Sequence, residues 1–150
     1  MKKNRSSFDV KKPEESPGFL LWQVTNLWQR RIRESLRVVG LTHTQFVLLA
    51  SILWFSEHER SIINQTRLSA HSKIDVMTVS TVLRTLQSRG LLKKKPHNTD
   101  SRAYMIELSS AGKKIAQQSL KFVAKCDKKF FEPLGRKKGE FNKMLFSLLT

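Results

Sequence analysis

Cysteine is almost absent from this chain of 150 residues: Cys126 stands alone, so no disulfide framework can form within the molecule, and such usage fits a reducing compartment. Acidic residues are scarce as well, 12 Asp and Glu against 28 Lys and Arg, a formal charge of +16. That imbalance points to a polyanionic partner, either nucleic acid or an anionic membrane surface. Long apolar runs are missing. The longest, Phe46 to Phe55, is interrupted by Ser51 and falls far short of the roughly 20 residues that span a bilayer. No apolar stretch follows the basic start Met1-Lys2-Lys3-Asn4-Arg5, so no signal peptide is expected, and the protein reads as soluble and intracellular. The marks of an enzyme are missing too: no glycine-rich phosphate loop, no nucleophile elbow, no paired carboxylates. His43, His58, His71 and His97 are scattered without Cys or carboxylate neighbours at ligand spacing, so no metal and no cofactor is expected.

What is present is an ordinary globular composition, 39% apolar, of a size suited to one domain with a real core. Residues 1–17 are polar, carry Pro13 and Pro17, and read as a flexible arm. Helical periodicity begins at Gly18, where Leu21, Val24, Trp28, Ile32 and Leu36 recur in steps of three and four, and ends near Gly40. Thr42 and Gln45 have the spacing of a capping box ahead of the apolar segment 46–55. That segment is apolar nearly all round, which predicts the central core helix, followed by a polar loop at 56–61. Asn64 is placed to cap a short helix through Ser72, and Asp75 to cap the next. There Val79, Val82, Leu83 and Leu86 form one buried face, closed off by Gly90. Two short helices so linked make a helix-turn-helix.

After Gly90 the period becomes strand-like. Leu91 to Lys95 predicts one strand, and alternating Tyr104, Ile106 and Leu108 predict another. The polar segment 96–102 makes their turn, so a β-hairpin wing follows the helix-turn-helix. Ser109 caps a long helix over about 110–131; Pro133 and Gly135 interrupt the chain, and a last helix carries Phe141, Leu145, Leu148 and Leu149. The predicted architecture is therefore mainly α with a small β-hairpin, an α+β winged helix-turn-helix spanning 18–150, with terminal helices at about 18–39 and 110–150. Those terminal helices have apolar stripes and too little core to cover them, which argues for a partner helix face and hence a dimer.

On the wheel of the helix that starts at Asp75, Met77, Thr81, Arg84 and Ser88 point directly away from the apolar face, flanked by Thr78, Ser80 and Thr85. This face is small, hydroxylated and free of acid after the cap. A solvated helix face more often carries Glu–Lys pairs, whereas a helix entering a major groove about 12 Å wide needs this character. Arg meets guanine through two donors, and Thr offers a methyl to thymine or a hydroxyl to several acceptors. Thr78, Ser80, Thr81 and Arg84, near the turns that normally reach base edges, are the candidate reading residues. From Arg84 to Lys138 the chain has 15 basic and 4 acidic residues, hence +11 of the total +16. Lys93, Lys94 and Lys95 in the first wing strand suit phosphate neutralisation, with Lys94 the chosen candidate. Arg102 near the tip can enter a minor groove and sense its width, and Asp100 can pair with it and fix its direction. An exposed ion pair of little consequence is the plain alternative for those two residues.

The run Asp75-Val76-Met77-Thr78-Val79-Ser80-Thr81-Val82-Leu83-Arg84-Thr85-Leu86, with Gly90-Leu91, then Asp100-Ser101-Arg102 and Leu108-Ser109-Ser110-Ala111-Gly112, resembles the MarR family of bacterial transcriptional regulators. Leu41-Thr42-His43-Thr44-Gln45-Phe46 is similar to the opening of that family's second helix. The resemblance extends over about 18–149; Ser109 replaces the usual Thr, and both can cap. It implies a cytoplasmic, nucleoid-associated homodimer straddling a pseudo-palindromic double-stranded DNA operator, most often as a repressor, with Arg102 in the minor groove and Asp100 orienting it. It also implies a small aromatic effector, for which Trp22, Trp28, His43 and Trp54 are the candidates. Tryptophans at helical spacing are also ordinary core residues, and a lone helical Cys126 reads as inert. Two other functions fit the charge: a non-specific architectural DNA-binding protein, and a winged-helix module for protein contacts.

Overall fold

The computed structural model describes residues 6–59, 62–96 and 104–149. A single 3-10 turn at Pro13–Glu15 precedes helix α1, Pro17–Leu36, which begins at a proline whose missing amide proton costs nothing at a helix start. The Ser16 hydroxyl accepts a hydrogen bond from the Phe19 amide at 3.3 Å and caps it. A further 3-10 turn, Arg37–Val39, ends on Gly40, where φ of 63° turns the chain into helix α2, His43–His58. The predicted capping box is there: Gln45 N donates to Thr42 Oγ1 and Thr42 N donates to Gln45 Oε1. Helix α2 runs on through Ser56, Glu57 and His58, three residues expected in a loop, and the Trp54 carbonyl lies 3.0 Å from His58 Nδ1.

Helices α3, Gln65–Ser72, and α4, Val76–Ser88, carry their predicted caps; Asn64 Oδ1 accepts from Arg67 N and Asp75 Oδ1 from Thr78 N. Their joint turns on Lys73 at φ 59°, a left-handed conformation that costs a non-glycine residue about 1–2 kcal/mol. Ser69 Oγ donates to the Ile74 carbonyl at 2.6 Å, and Ser72 Oγ accepts from the Ile74 amide at 3.3 Å, which offset that cost locally.

Strands β1, Leu92–Pro96, and β2, Tyr104–Leu108, pair antiparallel with Lys94 opposite Ile106. The wing tip, with Asp100 and Arg102, lies outside the described residues. Ile106 N donates to the Ile63 carbonyl at 2.9 Å and ties the wing to the segment ahead of α3. Helix α5, Ser110–Phe130, starts where Ser109 Oγ donates to the Gly90 carbonyl and accepts from Gly112 N. The approach there is so close that a Cβ on Gly112 would lie 1.8 Å from the Leu91 carbonyl oxygen, so only glycine fits. After a 3-10 segment, Glu132–Lys137, comes helix α6, Lys138–Ser147, the last element among the described residues.

The core is one cluster. Helix α2 lies at its centre, with Leu48, Leu49 and Ile52 at 0% exposure, and α1, α3, α4, β2 and α5 pack round it. Ser51 and Ser119, the buried hydroxyls, each donate to the carbonyl four residues back, and no buried side-chain polar atom among the described residues lacks a partner. Of the expected α1 stripe, only Ile32 and Leu36 are buried; Leu21 and Val24 are exposed, because among the described residues the C-terminal segment only borders that half of the helix across an open cleft. Among the described residues no single helix is long and apolar enough to cross a membrane.

Candidate nucleic-acid interface

Helix α4 buries Val79, Leu83 and Leu86 completely and half-buries Val82, which fixes what its opposite face presents. Met77, Thr78, Thr81, Arg84, Thr85 and Ser88 are exposed along it, and Ser80 is half-buried at its edge. Hydrogen bonds from the Thr78 hydroxyl and amide hold the Asp75 carboxyl below the ordinary carboxylate range, so the cap stays ionised and the Thr78 hydroxyl is partly committed to it. Arg84 makes no hydrogen bond or ion pair among the described residues. The Thr81 hydroxyl makes no hydrogen bond among the described residues, and its carbonyl accepts from Thr85 Oγ1. Thr81 and Arg84 are thus polar side chains of α4 available to an outside partner.

The N-terminal end of α4 is anchored by Gln65 Nε2, which donates to the Val76 carbonyl at 3.1 Å. Its C-terminal end is anchored by Arg89, whose Nη1 donates to the Gly40 carbonyl and to Gln45 Oε1. Neither anchor was among the sequence candidates: a glutamine opening a helix and an arginine before a glycine look like solvated surface until the partners are known. Behind α3 the Arg67 guanidinium pairs with Glu59 and lies over the Phe55 ring, 4.2 Å from its centroid.

On the wing, Lys93 and Lys95 are exposed on one face of β1, while Lys94 is half-buried on the face of Leu92. Lys95 Nζ pairs with Glu107 Oε2 at 2.7 Å, leaving Lys93 as the exposed lysine of the strand without an ion pair among the described residues.

The four expected effector residues fall in three places. Trp28 and His43 meet edge to face, centroids 5.1 Å apart, where α1, α2 and α5 join; Trp28 Nε1 donates to Asp127 Oδ1 at 2.7 Å, and His43 stacks on Phe46. Burial, aided by Arg33 and opposed by Asp127, holds the His43 pKa below its ordinary value. Trp22 is 67% exposed on the outer face of α1, and Trp54 stacks between helices on His58 and His71. Beside Trp28 an apolar cleft of about 280 Å³ opens between α1 and the C-terminal segment, lined by Leu21, Val24, Thr25, Trp28, Phe131, Phe141 and Leu145.

Residues 41–104 match the family model of the MarR family. Over 119 residues the chain is 38% identical to the HTH-type transcriptional regulator YdcH of Bacillus subtilis, covering 79% of this chain and 80% of that protein. The chain belongs to the MarR family. It is a DNA-binding transcriptional regulator, and the helix-turn-helix and wing described above are its winged-helix unit. Solved MarR-type structures share the fold at low sequence identity. A cysteine-to-serine variant of MarR from E. coli in complex with operator DNA aligns at TM-score 0.76 and 22% identity, over 91% of this chain and 95% of that one. CouR of Rhodococcus jostii, bound to p-coumaroyl-CoA, aligns at TM-score 0.77 and 20% identity, over 93% of each chain.

Proposed function

We propose that this MarR-family regulator is a homodimeric repressor that reads a pseudo-palindromic operator in double-stranded DNA. The observation that carries the reading is the outer face of α4, where the Thr81 and Arg84 side chains stand exposed without a hydrogen-bond or ion-pair partner among the described residues, opposite the buried Val79, Leu83 and Leu86. Arg84 and Thr81 read base edges, with Ser80 and Thr78 beside them; each good bidentate contact contributes about 1–3 kcal/mol of discrimination. Lys93 and Lys94 neutralise backbone phosphates, Arg102 enters the minor groove, and Asp100 orients Arg102.

The dimer follows from surface left uncovered. Leu21, Trp22 and Leu27 on α1, and Phe146, Leu148 and Leu149 at the C-terminal end, are half or more exposed. So many large exposed apolar side chains on two elements that border one apolar cleft mark an interface rather than a solvated surface. Two-fold pairing there sets two α4 helices about one DNA turn apart, roughly 34 Å. Trp28 and His43, at the junction of the terminal helices with the winged unit, are the members of the expected effector set best placed to couple a small aromatic ligand to α4; the ligand-bound relative supports such a role. The protein acts by binding inside a prokaryotic cell and performs no catalysis.

Selection of bound sites from a random duplex library at two salt concentrations tests this. Enrichment of a palindrome with half-sites about one turn apart, with affinity falling steeply as salt rises, is the expected result. Strong binding without an enriched motif would replace it with a non-specific architectural protein. Weak, salt-insensitive binding would leave a protein-interaction module.

A further inference from the structure

The recognition helix is tethered at both ends, and the two tethers reach different parts of the fold. At its N-terminal end Gln65 binds the Val76 carbonyl, which ties α4 to its own helix-turn-helix partner α3. At its C-terminal end Arg89 reaches 49 residues back along the chain to the Gly40 carbonyl, 3.1 Å from Nη1, and to Gln45 Oε1, 3.2 Å from the same nitrogen. Gly40 is the elbow at which the chain leaves α1 and its 3-10 extension and turns into α2. Gln45 Oε1 is shared, since it also accepts from Thr42 N at 3.0 Å and so closes the capping box of α2. Arg89 has no carboxylate partner among the described residues; its guanidinium is occupied by the elbow.

We propose that Arg89 is a positioning residue that locks the recognition helix to the α1–α2 elbow and thereby sets the half-site spacing the dimer accepts. The inference rests on the two-fold palindromic reading given above. In that dimer α1 belongs to the fixed frame and α4 to the reading head. The apolar side of α4, Val79, Leu83 and Leu86, holds the helix down but leaves it free to rock about that line of contact. Two acceptors on the elbow, both bonded to Arg89 Nη1, remove that freedom at the far end; a lysine ammonium, one bond shorter and on a flexible stem, does not reach as far. Arg89 then controls the distance and tilt between the two reading heads rather than which bases each one reads.

The test measures the affinity of the intact dimer for palindromes of the selected half-sites, at the preferred spacing and with one or two base pairs added or removed. Arg89→Ala is expected to flatten the spacing profile. The penalty for a one-base-pair change should shrink by about threefold to tenfold, the range for one or two exposed hydrogen bonds. Base preference within each half-site should stay unchanged. Arg89→Lys should leave the profile flat, whereas Gln45→Glu, which keeps both the cap and the acceptor, should preserve or sharpen it. A wild-type profile surviving in Arg89→Ala overturns the proposal. So does full recovery in Arg89→Lys with a salt slope about one unit per protomer steeper than in Arg89→Ala, since that behaviour belongs to a phosphate contact. If the wild type itself shows no preferred spacing, the palindromic reading falls and the lock falls with it; a sharp wild-type optimum retained without Arg89 removes the lock alone. Circular dichroism of each variant separates loss of the lock from loss of fold, and Gln45→Glu keeps the question answerable if Arg89→Ala unfolds.

Discussion

The winged unit and the terminal helices share a chain and a similar share of apolar residues, yet they treat those residues in opposite ways. In the winged unit Leu68, Val79, Leu83 and Leu86 reach 0% exposure, because α2 backs α3 and α4 and the hairpin closes the edge. On α1 the contrast runs along a single helix: Ile32 and Leu36 are at 0%, while Trp22, three turns earlier, is at 67%. The C-terminal helix resembles the outer half of α1, with Phe146 also at 67%. The difference teaches that the winged unit, backed by the inner half of α1 and by α5, has its apolar side covered, whereas the outer half of α1 and the C-terminal helix are left for another surface to cover. Single exposed leucines need no explanation, but two neighbouring helices that both expose large apolar side chains do.

The largest effect should come from breaking the uncovered side. Trp22→Asp combined with Phe146→Asp puts charge on the bare faces without touching the winged core. Sedimentation should show monomers, and operator affinity should fall by about a hundredfold or more as the two half-sites cease to act together. A dimer that persists would detach these faces from assembly. Next comes the seam between the regions. Gly112→Ala drives a methyl into the Leu91 carbonyl and should cost about 3 kcal/mol in urea unfolding. Wild-type stability there would mean that α5 and the wing separate easily.

Two pH measurements give smaller effects and sharpen the comparison. His43 sits at the same seam with its pKa held below the ordinary value of 6.5 mainly by burial. Its neutral form is the one the fold favours. The stabilisation is therefore complete above the unfolded value and is lost as pH falls through the folded one. His43→Gln should flatten the thermal midpoint as pH falls below about 6.5 relative to the wild type; an unchanged slope would assign it to other groups. Asp75, wholly within the winged unit, has the mirror-image dependence on charge. Its depressed pKa favours the ionised form, so its contribution is present above the ordinary carboxylate range and disappears as pH falls through the folded value. Asp75→Asn keeps a good cap and should make the protection factors of amides in the first turn of α4, corrected for intrinsic exchange, insensitive to pH in the acid range, whereas the wild type loses protection there.

Much of this was legible in the sequence because it depends on contacts within a few residues. The caps at Thr42, Asn64, Asp75 and Ser109 each bind an amide three positions on, so spacing alone identifies them. The buried face of α4 and the exposure of Thr81 and Arg84 follow from helical period. The extra turn of α2 was not legible, since Ser56, Glu57 and His58 have loop-like polarity and join the helix because its buried stretch carries them. Nor was the dispersal of Trp22, Trp28 and Trp54, because nothing local says which helix each will meet. Arg89 and Gln65 were missed for the same reason.

By itself the sequence determined the order of the elements, the caps that start them, the face α4 turns outward and the excess of positive charge, because each rests on short-range periodicity or plain counting. Only the tertiary structure decided that Trp28 and His43 meet at Asp127, that Arg89 closes onto Gly40 and Gln45, and that half of α1 stays bare. Those outcomes depend on how helices far apart in the chain cross and stack, and no local pattern encodes the distance between residues 28 and 127 or between 40 and 89.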